Sequence, residues 1–164
     1  MKIGLIGDTH DNVYAIQKAV KVFHSSGVEL VIHVGDYCSA FTATSFKDLN
    51  TKLVGVFGEN DGDRMELRKE YEKIGAEIHG EFHILEVEKK RIAITHGTDL
   101  KVIEGLANSD SFDLIVYGHT HVPKVTRINK TLLVNPGEAC GFLYGKRTVA
   151  VVDLGKMLSS IKEF

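Results

Sequence analysis

The chain has 164 residues, of which 43% are hydrophobic and 26% are charged. This composition excludes an intrinsically disordered chain and fits one domain, residues 1–164, that can bury a sizeable core. The formal net charge of -2 provides no broad basic surface, so long nucleic acids are not indicated as partners, although nucleic acid is not excluded as a substrate.

Two cysteines, Cys38 and Cys140, are present, and neither lies in a Cys-x-x-Cys motif. A disulfide framework is therefore not expected, and a reducing compartment fits the chain. The first apolar run is broken by Gly4, Gly7 and Asp8 and is too short for a signal peptide, and no later run is long enough to span a membrane. We expect a cytoplasmic protein with no membrane partner.

The first half of the chain alternates buried-strand and helical patterns. The predicted strands are 2–7, 30–34 and 53–57, and helices are predicted over 41–49 and 64–73. Another helix is predicted between Asn12 and Gly27, with Asp11 or Asn12 as its N-cap and Gly27 at its end. This strand-helix-strand order predicts parallel strands joined by right-handed crossovers.

The second half has a different rhythm. Hairpins are predicted for 82–87 with 91–95 and for 124–128 with 131–134. A helix around 102–107 leads into a strand at 113–117, and further antiparallel strands are predicted at 148–154 and 158–164. An α/β half followed by an antiparallel-rich half predicts two sheets packed face to face with helices outside.

Side chains suited to metal binding follow five of the predicted apolar runs. Open α/β folds gather the carboxyl ends of their strands at one edge, so these side chains are expected to meet there. They lie in the segments Gly7-Asp8-Thr9-His10, Gly35-Asp36, Gly58-Glu59-Asn60-Asp61, His96-Gly97 and Gly118-His119-Thr120-His121.

The mixture of carboxylates and imidazoles indicates the kind of metal. Such a set suits Mn²⁺, Fe²⁺, Co²⁺ or Zn²⁺, whereas oxygen ligands alone favour Mg²⁺ or Ca²⁺. Asp8 and His10 lie two positions apart and can share one ion, and His119 and His121 repeat this spacing. A single aspartate at a strand end is more often a helix cap, but five such clusters together favour a metal centre. We assign no chemistry to His24, His33, His79 and His83.

The five segments resemble the motifs of the calcineurin-like metallophosphoesterases. The short chain and the segment Asn135-Pro136-Gly137-Glu138 resemble, more narrowly, the small YfcE-like and archaeal phosphodiesterase branch. The resemblance implies a four-layer α/β/β/α sandwich of two mixed sheets. It also implies a metal-dependent hydrolase that cleaves small phosphodiesters through a hydroxide bridging two metal ions.

The resemblance further implies how the candidate ligands divide. Two divalent ions are implied, with Mn²⁺ first and Ni²⁺, Fe²⁺, Co²⁺ or Zn²⁺ as alternatives, and Asp36 would bridge them. The remaining ligands are Asp8, His10 and His121 for the first ion, and His96, His119 and one residue of the 58–61 segment for the second. A homodimer formed through a sheet edge is compatible with this fold.

One motif departs from the family pattern. Relatives carry Asn directly after the glycine, whereas here Glu59 holds that position and Asn60 follows it. Alignment favours Glu59 as the ligand of the second ion, and residue type leaves Asn60 open after a small loop shift. Relatives that carry His at the position of Asn60 use it as the proposed general acid, but an amide can only hydrogen-bond. Asp61 is expected to orient this catalytic loop through backbone hydrogen bonds.

Two alternatives to a phosphodiesterase remain open. The family includes a retromer subunit that acts as a protein-interaction scaffold, so the fold alone does not imply turnover. The presence of His10, His96, His119 and His121 favours catalysis. A phosphomonoesterase or a nuclease would keep the same metal centre and differ only in substrate, because selectivity depends on loop shape.

Overall fold

The computed structural model describes the whole chain, Met1–Phe164. The strands are β1 (Lys2–Ile6), β2 (Leu30–His33), β3 (Lys52–Gly55), β4 (Glu77–Ile78), β5 (Phe82–Val87), β6 (Lys90–Thr95), β7 (Leu114–Val116), β8 (Lys124–Ile128), β9 (Thr131–Asn135), β10 (Thr148–Asp153) and β11 (Leu158–Glu163). The helices are α1 (Val13–Ser26), α2 (Arg64–Glu72) and α3 (Leu100–Asn108), with a 3-10 helix at Ala40–Phe46. None of the helices combines the length and apolar composition needed to cross a membrane.

The strands form two mixed sheets. The first has the order β11-β10-β1-β2-β3-β4, in which β1 to β4 are parallel and β10 and β11 are antiparallel additions. The second has the order β5-β6-β7-β9-β8, in which β6, β7 and β9 are parallel and the two outer strands are antiparallel. The predicted parallel strands and both predicted hairpins are confirmed.

Apolar side chains divide the molecule into four layers. Alternation along β1 sends Ile3 and Leu5 into the core between the two sheets, and Ile6 into a separate core under α1 and α2. The outer face of the second sheet packs against Ile103 and Ala107 of α3. The order of layers is therefore helix, sheet, sheet, helix, which confirms the predicted α/β/β/α sandwich of two mixed sheets.

Three local features differ from the sequence predictions or resolve them. The helix predicted over 41–49 is a 3-10 helix that ends at Phe46. Its hydroxyl side chains favour the tighter turn, because Thr42 and Thr44 donate to carbonyls three residues earlier, at 2.7 and 3.0 Å. Asn12, and not Asp11, caps α1 by accepting from the Ala15 amide. The two-residue strand β4 was not predicted.

The loops that follow the parallel strands are joined by backbone hydrogen bonds across the molecule. The Asp8 amide donates to the Gly35 carbonyl at 3.1 Å, and the Cys140 amide donates to the Asp8 carbonyl at 3.0 Å. In the second sheet, the Gly118 amide donates to the His96 carbonyl at 2.7 Å. The His96 side chain reaches the Val34 carbonyl of the first sheet at 2.8 Å, so the motifs of both sheets lie on loops at one edge of the sandwich.

This close loop packing predicts different costs for two glycine substitutions. A Cβ atom at Gly35 would lie 2.5 Å from the Gly58 amide nitrogen, and Gly35 has a φ of +99°. Gly35→Ala should therefore lower the free energy of unfolding by about 1–3 kcal/mol. Gly62 has no atom within 4 Å of such a Cβ, so Gly62→Ala is the matched control. Urea unfolding measures both variants, and equal stability of the two would contradict this packing.

Candidate metal centre

Five candidate ligands lie on strained backbone. The φ angles are 50° at Asp8, 39° at His10, 59° at Asp36, 66° at His119 and 60° at His121. Asp and His enter this left-handed region more readily than most residues, but each instance costs on the order of 1–3 kcal/mol. Such strain persists only where surrounding contacts enforce it, and here it accompanies side chains that converge.

The first group of candidate ligands consists of Asp8, His10 and His121, whose ligand atoms all lie within 4.8 Å of one another. The Nε2 atom of His121 is 3.4 Å from Oδ1 of Asp8. The rings of His10 and His121 stack with their centroids 5.1 Å apart. This group contains the three residues that sequence analysis assigns to the first ion.

The second group consists of Glu59, His96 and His119, whose ligand atoms also lie within 4.8 Å of one another. The Nδ1 atom of His119 is 3.2 Å from Oε1 of Glu59. The Nδ1–H group of His96 donates to the Val34 carbonyl at 2.8 Å, which leaves Nε2 without a proton in the neutral ring. His96 is buried, whereas Glu59 is exposed at the mouth of the site.

Asp36 lies between the two groups. Its Oδ2 atom is 3.5 Å from Nε2 of His10 and 3.4 Å from Nε2 of His96. Asp8, Asp36 and His96 form a further set within 4.8 Å. One carboxylate oxygen thus faces a histidine from each group, which is the arrangement expected of a bridging ligand.

The residues fit divalent cations on two independent observations. Neighbouring ligands on an ion with bonds of 2.0–2.2 Å lie about 2.8–3.6 Å apart, from octahedral to tetrahedral geometry, and the contacts between the candidate ligand atoms are 3.2–3.5 Å. Both carboxylate oxygens of Asp8, together with Nε2 of His10 and Nε2 of His96, are buried without a hydrogen-bond partner. Buried polar atoms normally have partners, and cations bound to the two groups would supply them.

The pKa values reflect this crowding. Burial raises the pKa of Asp8 to about 6, although the nearby His96 and His121 oppose the shift. Burial also opposes ionisation of Asp36, but contacts with His96 and Asn60 outweigh it and hold that pKa well below its ordinary value. Burial lowers the pKa of His96, but the adjacent Asp36 outweighs it and raises that pKa to about 9. Protons therefore compete with cations for this site.

The 58–61 segment gives its three polar residues different surroundings. Glu59 faces His119, whereas Asn60 donates to Asp36 from its backbone amide at 2.9 Å and from its side chain at 2.8 Å. The carboxylate of Asp61 is buried and accepts from the amides of Gly58, Asp36 and Cys38. Glu59 therefore lies beside a histidine of the second group, whereas Asn60 and Asp61 contact Asp36. The chemical roles of these three residues stay predictions.

Cys38 lies beside the first group, with its Sγ atom 3.4 Å from Nδ1 of His10. Burial, followed by the negative charges of Asp11 and Asp36, raises the pKa of the Cys38 thiol to about 12. Because the thiolate is the reactive form, this environment disfavours a cysteine nucleophile. Both Cys38 and Cys140 are free thiols.

Glu138 is the buried acid next to the site that sequence analysis left without a role. Its Oε2 atom lies 2.8 Å from Nδ1 of His121, and Glu138, Cys140 and His121 form a further cluster within 4.8 Å. A glutamate after Pro136-Gly137 has the sequence pattern of a solvated turn. The only sequence signal was its place in the segment that supports the family resemblance.

Competition between protons and cations predicts how metal uptake depends on pH. Binding a cation must displace the proton of His96 below pH of about 9 and also that of Asp8 below pH of about 6. The apparent affinity of the metal-free protein for Mn²⁺ should therefore rise between pH 6 and pH 9, with proton release on binding. Calorimetric titrations in buffers of different ionisation enthalpy measure both quantities. An affinity that stays constant over this range would be inconsistent with the site.

Comparisons with known proteins agree with this geometry. The family model for the calcineurin-like phosphoesterase superfamily domain matches residues 1–157. Phosphodiesterase MJ0936 of Methanocaldococcus jannaschii is 38% identical over 157 residues, covering 95% of each chain. Phosphodiesterase YfcE of Escherichia coli is 25% identical over 150 residues, covering 84% of this chain and 78% of its own.

A solved structure of an archaeal phosphodiesterase superposes on this chain with a TM-score of 0.95 at 36% sequence identity, and all of both chains is covered. The residues matched by the family model include all five strand-end motifs. The predicted resemblance to this family and to its small bacterial and archaeal branch is therefore confirmed. The chain belongs to the calcineurin-like phosphoesterase superfamily.

Proposed function

We propose that the protein hydrolyses small phosphodiesters with the help of two divalent metal ions. The observation that carries the proposal is the position of the Asp36 Oδ2 atom, 3.5 Å from a histidine of one group and 3.4 Å from a histidine of the other. Similarity to proteins named phosphodiesterases supports the choice of substrate class. Mn²⁺ is the first choice of metal, and Ni²⁺, Fe²⁺, Co²⁺ and Zn²⁺ also suit these ligands.

The residues of the chain divide the task of holding the ions. Asp8, His10 and His121 hold the first, the second group holds the other, and Asp36 contacts both. When bound, the two ions supply an activated water and positive charge at the phosphoryl oxygens. The strained loops fix the ligands before the ions arrive, so little rearrangement accompanies binding.

Glu59, and not Asn60, is proposed as the remaining ligand of the second ion. Glu59 lies 3.2 Å from His119, whereas the amide group of Asn60 is engaged with Asp36 at 2.8 Å. A carboxylate in place of the neutral ligand of the family motif lowers the net charge of the metal-loaded site by one unit. The site should therefore retain its cations more firmly and attract an anionic substrate less strongly.

Asn60 and Asp61 are proposed to position Asp36. Asn60 donates two hydrogen bonds to the Asp36 carboxylate, and Asp61 accepts one from the Asp36 backbone amide at 3.1 Å. The two Asn60 contacts orient the shared carboxylate and favour its ionised form, and the Asp61 contact holds the backbone of Asp36 in place. Asn60 has no proton to release near neutral pH, so protonation of the leaving oxygen must come from water or another group.

A cavity of about 470 Å³ opens beside Glu59 and His96. Its polar wall includes Arg64, Glu81 and Asp99, and Arg64 is tied to Glu81 by a contact of 2.7 Å. This volume is of the size that holds small ligands. It supports a small phosphodiester whose alcohol portion occupies the cavity, rather than a long polymer.

Replacing one histidine of the second group tests the proposed function. With added Mn²⁺, the wild-type protein should release p-nitrophenol from bis-p-nitrophenyl phosphate, and His96→Ala should lower kcat/KM by at least about 100-fold, because a ligand is lost. His83→Ala is the matched control, since His83 stacks on His79 outside the site, and it should retain wild-type activity.

The wild-type result also separates the alternative functions. A protein that binds Mn²⁺ but releases no product would contradict the proposal and favour a scaffold. Faster hydrolysis of p-nitrophenyl phosphate than of the diester would favour a phosphomonoesterase instead.

The amide side chain of Asn60 predicts that the rate of hydrolysis depends strongly on the leaving group. The wild type should hydrolyse aryl esters much faster than alkyl esters, because no side chain at this position protonates the leaving oxygen. Asn60→His should raise the ratio of alkyl-ester to aryl-ester kcat/KM by about 100-fold, and the ratio is insensitive to any general loss of metal. Asn108→His, at the exposed end of α3, is the control. An unchanged ratio in Asn60→His would count against a missing acid at this position.

A further inference from the structure

Glu138 is a buried carboxylate that is surrounded by hydrogen-bond donors. It is 1% exposed and lies in the connection between β9 and β10. Its Oε2 atom accepts from the Leu143 amide at 3.0 Å and the Cys140 thiol at 3.4 Å, and lies 2.8 Å from Nδ1 of His121. Its Oε1 atom accepts from the Tyr144 amide at 2.7 Å. A carboxylate surrounded by donors in this way is held in its ionised form.

This environment determines which nitrogen of His121 carries the proton. An ionised carboxylate can only accept, so Nδ1 of His121 must be the donor. The neutral ring then has its lone pair on Nε2, which lies 3.4 Å from Oδ1 of Asp8 in the first group. The carbonyl of Val34 has the same effect on His96. The His121 contact differs because its partner carries a full negative charge.

We propose that Glu138 is a positioning residue for His121: its carboxylate fixes the tautomer and the orientation of the imidazole so that Nε2 faces the first metal position. The inference rests on the proposed dinuclear function and adds a residue that none of the five motifs contains. A carboxylate behind a metal-bound histidine also makes the imidazole a stronger donor to the cation. Glu138 therefore acts on the first ion without touching it.

The same carboxylate anchors an exposed apolar loop. Residues 141–145 begin and end in glycines with a φ of 71° and place Phe142, Leu143 and Tyr144 at the surface, with exposed fractions of 64%, 66% and 61%. The amides of Leu143 and Tyr144 bind Glu138, and the amide of Cys140 binds the Asp8 carbonyl. Glu138 thus has one contact with a candidate ligand and two with this loop, so a test must separate the two duties.

Three variants separate the effect of Glu138 on His121 from its effect on the loop. Glu138→Ala removes every acceptor, whereas Glu138→Gln retains the shape and one neutral acceptor. Arg147→Ala removes a side chain that packs beside the loop and leaves the Glu138 carboxylate in place, because Arg147 contacts the Cys140 carbonyl at 3.4 Å and covers the ring of Tyr14 in α1. Circular dichroism establishes that each variant folds, and Glu138→Gln decides the question if Glu138→Ala does not fold.

The first measurement is the tautomer of His121 in the metal-free protein with ¹⁵N-labelled histidine, at a pH at which the ring is neutral. Long-range ¹H–¹⁵N correlation spectra should show the proton of His121 on Nδ1 in the wild type and in Arg147→Ala. Glu138→Ala should shift His121 to a mixture of tautomers, and Glu138→Gln should shift its ¹⁵N resonances part of the way. Unchanged His121 resonances in both Glu138 variants would overturn the proposal.

The second measurement is the affinity for Mn²⁺, followed by electron paramagnetic resonance. Loss of a carboxylate behind a histidine ligand typically weakens metal binding 10- to 100-fold. Mn²⁺ affinity should fall by about 100-fold in Glu138→Ala and by about 10-fold in Glu138→Gln, and it should not change in Arg147→Ala. Equal weakening in Arg147→Ala and the Glu138 variants would show a role confined to the loop and would overturn the proposal.

The tautomer measurement needs neither metal nor substrate. It supports or overturns the positioning role of Glu138 whether or not the wild type hydrolyses phosphodiesters. Failure of the proposed function would appear instead as a wild-type protein that is inactive with Mn²⁺, with the His121 tautomer still dependent on Glu138.

Discussion

The buried carboxylate of Asp36 is the constraint on which the rest of the site depends. Placing a negative charge at the meeting point of two sheets costs several kcal/mol unless partners surround it. The chain supplies two hydrogen bonds from Asn60 to this carboxylate and a backbone anchor from Asp61. The remaining partners, His10 and His96, approach the same oxygen from opposite groups. This arrangement stabilises the carboxylate and directs it at two positions where a divalent cation fits.

The fold and the meeting of the motifs could be predicted because they follow from local patterns. Apolar runs predicted the strands, and the ligand-rich segments that follow five of the parallel strands were expected to lie at one edge. The 3-10 helix at Ala40–Phe46 was missed because hydroxyl groups of Thr42 and Thr44 compete for carbonyls that an α-helix would use. The burial of Glu138 was missed because it depends on the distant His121 and on a loop that follows Glu138 in the chain.

Carboxylates are concentrated around this site more than the family motif alone requires. Glu59 stands at the position where the family resemblance implies a neutral amide, and Glu138 lies behind His121. Each added negative charge favours retention of cations and reduces the attraction of an anionic substrate. Asn60 removes the side chain that could protonate a leaving group. Under the proposed function, these features together would give a centre that holds metal firmly and favours esters whose alcohol leaves without assistance.

The most direct test of the account is the number and position of metal ions bound around Asp36. Crystals of protein reconstituted with Mn²⁺ can be measured at a wavelength where manganese scatters anomalously. We expect two peaks on either side of the Asp36 carboxylate, one beside Asp8, His10 and His121 and the other beside Glu59, His96 and His119. A single peak that does not contact Asp36, or no peak at all in fully reconstituted protein, would contradict the account.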